Sequence, residues 1–282
     1  MQLDWYSATV PAYPERVIER LTVALAGTVS IATVERRAGT VGYATEDRLL
    51  DGIGQRVCGV LHGGHNAMPH VRASGHYSPA VASALRLCFP GHSVSRADVA
   101  ADFDGPDTWE KLRGACEALA TERGLRWLVY GDDRPEGVRD DGQGRSAYVG
   151  SRSSAVMTRL YEKGKKEAAN GWIGDQAPSL DWCRLEIEVK PPNREARAVA
   201  ATLEPAAFWG CSPWTRELLS RVLGLDVMRV SMTVRKETDA RRSLRHMALQ
   251  YRAAMEALIS EEGGDDAALM RFVRETWQRF DS

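Results

Sequence analysis

The chain has 282 residues, 44% of them hydrophobic and 27% charged, and a formal net charge of -1. That is enough chain to bury a sizeable core as one large domain or two modest ones. The charge balance excludes a globally basic field, so any nucleic-acid partner has to be held by local basic patches.

The first ~75 residues read as β-rich after one early helix. Pro14–Leu25 carries Val17, Ile18, Leu21 and Leu25 at helical spacing, and strands are predicted over Thr28–Glu35, Gly42–Leu49, Arg56–Leu61 and Met68–Ser74. Ser78 followed by Pro79 starts a helix that runs to about Leu87. Val94–Phe103 is a strand, and Asp107 with Glu110 forms a capping box for a helix over Trp109–Arg123, closed by Gly124. Arg126–Tyr130 is the next strand. Gly131–Gly144 is a charged, glycine-rich surface loop, and Gly150–Ser154 is a hairpin connection. Pro191 and Pro192 break the strand that ends at Lys190. The rest is mainly helical: Asp239 caps a segment carrying Leu244, Met247, Tyr251 and Leu258, and Glu261–Asp266 links it to a last helix with Leu269, Phe272 and Trp277. The sequence shows no internal repeat.

The five cysteines are widely spaced with no CxxC pair, which fits reduced thiols better than disulfides or zinc. No apolar run approaches the roughly 20 residues a membrane span needs, and the start is not a secretory signal. A cytoplasmic protein is the expectation.

The chemistry concentrates between Arg145 and Lys190. Strand alternation puts Arg159, Tyr161 and Lys163 on one face, and Arg184, Glu186, Glu188 and Lys190 on one face of a second strand. Asp98 and Asp102 share one side of the Val94–Phe103 strand, and two such carboxylates are unfavourable unless a cation separates them. With Glu186 and Glu188 they supply the oxygen donors that Mg2+ or Mn2+ prefers. Arg159 and Lys163 are expected to favour the phenolate of Tyr161. Each strand taken singly also reads as an ordinary solvated face, and Tyr148 reads as structural. Basic residues gather at Arg152, Arg159, Lys163, Lys165 and Lys166, and again at Arg235, Arg241, Arg242 and Arg245. His62 and His65 are too loosely spaced for a metal site. A His-hydrophobic-His triplet and a P-loop are both missing.

Four segments in this order resemble the Rep-trans class of replication initiation factors of rolling-circle plasmids and filamentous phages. They are SGHYSP (Ser74–Pro79), RADVAADF (Arg96–Phe103), YVGSRSSAVMTRLYEKGKKE (Tyr148–Glu167) and RLEIEVK (Arg184–Lys190), and WGCSPW at Trp209–Trp214 also fits. The likeness runs from about Asp4 to Leu258, and the third motif is the specific one. The resemblance implies an enzyme that nicks and rejoins one strand of origin DNA, forming a 5′-phosphotyrosyl bond and a 3′-hydroxyl primer. It maps the nucleophile onto Tyr161, with Lys163 and Arg159 beside it, and the Mg2+ or Mn2+ site onto Asp98, Glu186 and Glu188, with Asp102 as a further candidate. Arg152, Lys165, Lys166, Arg184 and Lys190 are the expected DNA contacts. The implied substrate is unpaired at the nick, as in an extruded hairpin, and a homodimer would supply the second tyrosine that a replication round needs.

Together these readings predict an α+β protein: a curved, mostly antiparallel sheet with helices on one face, and a helical C-terminal part. The expected division is a nicking domain over residues 1–190 and a mainly helical region over 191–282. Two alternatives stay open: a nuclease resembling restriction endonucleases, with Glu188-Val189-Lys190 as its Glu-x-Lys element, and a non-catalytic DNA-binding regulator.

Overall fold

In the computed structural model, the described residues are 1–131, 144–171, 178–231, 244, 247, 248 and 250–280. The chain divides into two compact units, Met1–Met232 and Thr233–Ser282. Most of the Gly131–Gly144 loop, the Asp239 cap and the basic group Arg235, Arg241, Arg242 and Arg245 lie outside the described residues.

The first unit is α+β. Its strands are β1 (Gln2–Thr9), β2 (Thr33–Ala38), β3 (Thr45–Leu50), β4 (Arg56–His62), β5 (His70–Ser74), β6 (Ser93–Phe103), β7 (Trp127–Tyr130), β8 (Ser146–Val149), β9 (Val156–Glu162) and β10 (Cys183–Val189). Among the described residues they form one sheet in the order β2-β3-β4-β5-β1-β6-β10-β9-β8-β7, antiparallel at every pairing. Helices α1 (Pro14–Leu25), α2 (Ser78–Cys88), α3 (Thr108–Glu122), α4 (Lys163–Ala169), α5 (Arg194–Thr202) and α6 (Pro213–Leu223) complete the unit. The second unit contains α7 (Arg252–Glu261) and α8 (Asp266–Phe280).

The sheet order is a palindrome about the central β1·β6 pair. β1-α1-β2-β3-β4-β5-α2 and β6-α3-β7-β8-β9-α4-β10-α5 are wound alike apart from α4, which has no counterpart between β4 and β5, and β5 occupies in the first half the place of β10 in the second. The N-terminal strand, which the sequence patterning did not reveal, is therefore a central one.

One sheet face is apolar and covered by helices. Tyr6, Ala8, Ala97, Val99, Leu160, Leu185 and Ile187 meet Val17, Leu21 and Leu25 of α1, Val81 and Leu85 of α2, and Leu112, Cys116 and Leu119 of α3 in one core. Each large aliphatic side chain buried there contributes about 1.5–3 kcal/mol. Proline opens α1, where its missing N–H costs no intrahelical bond. Trp209 of the WGCSPW segment is fully buried in the same core. The capping box expected at α3 does not form: Asp107 takes a left-handed conformation with no side-chain cap, and Thr108 Oγ1 donates to Gly105 O at 2.6 Å instead.

The other face is polar. Cross-strand pairs share a face, so the register aligns three rows across the C-terminal half: Asp102–Arg184–Tyr161–Ser146, Ala100–Glu186–Arg159–Tyr148 and Asp98–Glu188–Met157.

Candidate active site

Tyr161 lies on the polar face, one strand from Glu186 and absent from the apolar core. It is nevertheless only 5% exposed. Its cover is cationic: the Arg159 guanidinium stands 5.0 Å from the ring centroid and the Lys166 ammonium 5.3 Å. The hydroxyl donates to Glu186 Oε2 at 3.5 Å, the outer limit of a hydrogen bond. Burial first, and Glu186 second, push the phenol well above its ordinary value, with Arg184 and Arg159 opposing. The expectation that neighbouring cations would favour the phenolate is therefore reversed. Removing the ring from water outweighs the guanidiniums.

Lys163 does not extend β9. It is the first residue of α4, is paired with Glu167, and has its ammonium 5.7 Å from the Trp182 ring centroid. The turn into α4 depends on Gly164, where a Cβ would meet Ser179 O at 1.8 Å. Lys166, one helical turn on, is thereby carried back over Tyr161.

Asp98, Glu186 and Glu188 are all buried on adjoining rows of β6 and β10. Arg96 binds two of them, donating through Nε to Asp98 Oδ1 at 2.8 Å and reaching Glu188 Oε2 at 2.7 Å. Arg159 Nη2 donates to both oxygens of Glu186 at 2.8 and 2.9 Å. Lys190 pairs with Glu188 and donates to Arg152 O at 2.9 Å. Asp98 is pushed up to about 7, by burial first and then by Glu186 and Glu188, against the pull of Arg96. Burial, with the neighbouring carboxylates adding to it, thus outweighs Arg96 at Asp98. Among the described residues, no three His, Cys, Asp or Glu side chains stand close enough to hold a metal ion as arranged.

Asp102 belongs to another cluster. It accepts from Arg184 Nε and Nη2 at 2.7 and 2.9 Å and from Trp182 Nε1 at 2.8 Å, while Arg184 Nη1 donates to Asp4 at 2.6 Å. Lys165 also points elsewhere, to Glu162 at 3.2 Å, where Arg145 forms a buried ion pair with the same carboxylate. Arg152 lies 5.1 Å from the Tyr148 ring centroid, and Tyr148 meets Tyr130 edge-on, so the β7–β8 rim of this face is aromatic and basic.

Sequence reasoning missed Asp4, because β1 was not recognised, and gave no role to Arg96. The signal for Arg96 was present: it stands two residues before Asp98 on the same strand face. No helix among the described residues is long and apolar enough to cross a membrane.

A rolling circle replication initiator protein from Geobacillus stearothermophilus has a similar structure, with a TM-score of 0.52 and 17% identity over 81% of this chain and 98% of that one. At that identity the likeness is one of fold. No curated protein matches the chain. The family match covers residues 92–219, less than the Asp4–Leu258 span of the sequence resemblance, but it includes Asp98, Tyr161, Glu186 and Glu188. Those residues match the model of the Rep_trans family, described as replication initiation factors.

Proposed function

We propose that this protein is a replication initiation factor that nicks and rejoins one strand of origin DNA, with Tyr161 as the nucleophile. The observation that carries the reading is the convergence on one sheet face of the Tyr161 hydroxyl, two cations over its ring, and three crowded carboxylates. In the reaction the Tyr161 oxygen bonds to the scissile phosphorus and the bond from phosphorus to the 3′-oxygen breaks. The phenolic proton is lost and the leaving 3′-oxygen gains one. Because burial holds the phenol protonated, the proton needs an acceptor, and Glu186 is the carboxylate the hydroxyl faces. Arg159 is close enough to offset charge on the phosphate once it turns from Glu186. Rejoining reverses these steps and needs no nucleotide, since the phosphotyrosyl bond keeps the phosphodiester's energy.

Asp98, Glu186 and Glu188 are the residues that would hold a divalent cation. They are hard oxygen donors on adjoining rows of one sheet face. Arg96 binds two of them and has to turn away first. A bound Mg2+ or Mn2+ would polarise the phosphate.

The substrate strand has to be unpaired at the nick to reach a tyrosine on a sheet face, as in an extruded hairpin. A homodimer would bring a second tyrosine for the second cleavage of a replication round. The test is nicking of supercoiled origin DNA with Mg2+ or Mn2+: Tyr161→Phe should leave the circle closed while keeping the wild-type fold. A fully active Tyr161→Phe enzyme rules out this nucleophile.

A further inference from the structure

The palindromic sheet leaves the N-terminal half of the polar face without a role. β5 stands where β10 stands in the other half, yet on this face it carries His70 and Arg72 where β10 carries Arg184, Glu186 and Glu188. Beside it, one buried carboxylate collects three guanidiniums. Glu46 is 1% exposed and accepts from Arg48 at 3.0 Å, Arg56 at 3.2 Å and Arg72 at 3.3 Å. Burial lowers Arg56 from its ordinary value and the Arg72 and Arg48 charges add to that, against Glu46. One carboxylate needs one cation, so the cluster carries surplus positive charge that the fold does not require.

The surplus is aligned. The register puts Arg48, Gly59, Arg72, Ser7 and Arg96 in one row across β3, β4, β5, β1 and β6, ending at the carboxylate corner. Four interstrand steps make this row about 19 Å long. Gly59 keeps it open, because a Cβ there would meet Glu46 Oε1 at 2.4 Å. On the next row Trp5 lies between two members, with Arg72 6.0 Å and Arg96 4.8 Å from its ring centroid. Trp5 Nε1 and Arg72 Nε are both buried without a hydrogen-bond partner. A spaced line of guanidiniums beside an indole matches a chain of phosphates with unstacked bases. It fits single-stranded DNA better than a duplex, whose bases are not free to stack on the indole.

We propose that Arg48, Arg56 and Arg72, with Trp5, form a track that holds the single strand flanking the cleaved phosphate. The proposal rests on the nicking reading for which phosphate is cleaved, but its test does not. Fluorescence anisotropy would compare a short single-stranded origin oligonucleotide with versions extended on the 5′ or the 3′ side, and with an extended duplex. One extension should tighten binding to wild type. Arg48→Gln/Arg72→Gln should lose that gain, with a salt slope reduced by about 1.4 for two lost phosphate contacts. Trp5→Ala should weaken the same complex on the order of tenfold. Arg56 still serves Glu46 in the double variant, and thermal melting checks that it folds.

Equal affinity of wild type and the double variant for both extended strands would overturn the track. So would a loss no larger for long strands than for the short one, or wild type preferring the extended duplex. If nothing is cleaved while the extension effect survives, the nicking reading fails and the track stands.

Discussion

Asp98→Asn tests the electrostatics of the carboxylate corner without any metal. Asp98 is 2% exposed, and burial with Glu186 and Glu188 moves it from an ordinary 3.8 to about 7. Across that window the folded chain retains a proton that the unfolded chain has released. Unfolding free energy therefore falls as pH rises from about 4 to about 7, by a total of about 4 kcal/mol. Between pH 5 and pH 8, roughly two pKa units of this shift are traversed, or about 3 kcal/mol. Asparagine keeps the shape and an acceptor for Arg96 but does not titrate. Shifted groups away from this corner act alike in both proteins and cancel in the difference. In EDTA, urea unfolding should find Asp98→Asn near wild type at pH 5 and more stable than wild type by about 3 kcal/mol at pH 8, with unchanged m values. Parallel pH profiles for the two proteins would mean that Asp98 ionises in the folded chain as it does in the unfolded one, and that the burial at this corner does not hold its proton.

The same corner predicts that Mn2+ raises the melting temperature more at pH 8 than at pH 6, since binding must displace the Asp98 proton; equal shifts count against these ligands. Gly164→Ala should destabilise the chain by about 2–4 kcal/mol in urea unfolding, because the added methyl strikes Ser179 O. Arg145→Met should cost about 3 kcal/mol, by leaving the buried Glu162 carboxylate with Lys165 as its remaining cation. Arg145 helps hold Glu162 below its ordinary value against burial, a stabilisation present above the usual glutamate pKa and lost as pH falls through the lowered one. The gap between wild type and Arg145→Met should therefore narrow in acid, and a gap independent of pH would exclude this ion pair as the cause.

Much of the fold was legible because the strands around the site alternate cleanly. Arg159 and Tyr161, and Glu186 and Glu188, fall on the face that their spacing predicts. Lys163 did not follow, because RLYEK keeps a strand-like alternation while Gly164 lets the chain turn into a helix under Ser179. β1 escaped notice because a register shift between Leu3 and Trp5 breaks its period. The repeat of the two halves is absent from the sequence pattern because their polar faces carry different chemistry: His70 and Arg72 in one, Glu186 and Glu188 in the other. Spacing also gave no sign that Tyr161 would be covered. Part of its cover, Lys166, comes from the following helix, and burial is the larger influence on the phenol.

The proposed nicking reaction passes through a covalent bond between Tyr161 and DNA. Wild-type protein should be incubated with Mn2+ and a single-stranded origin oligonucleotide, digested with protease, and its nucleotide-bearing peptide sequenced by mass spectrometry. One adduct is expected, a 5′-phosphate on the Tyr161 oxygen, absent from Tyr161→Phe. An adduct on Tyr148, or complete cleavage with no adduct, would contradict it.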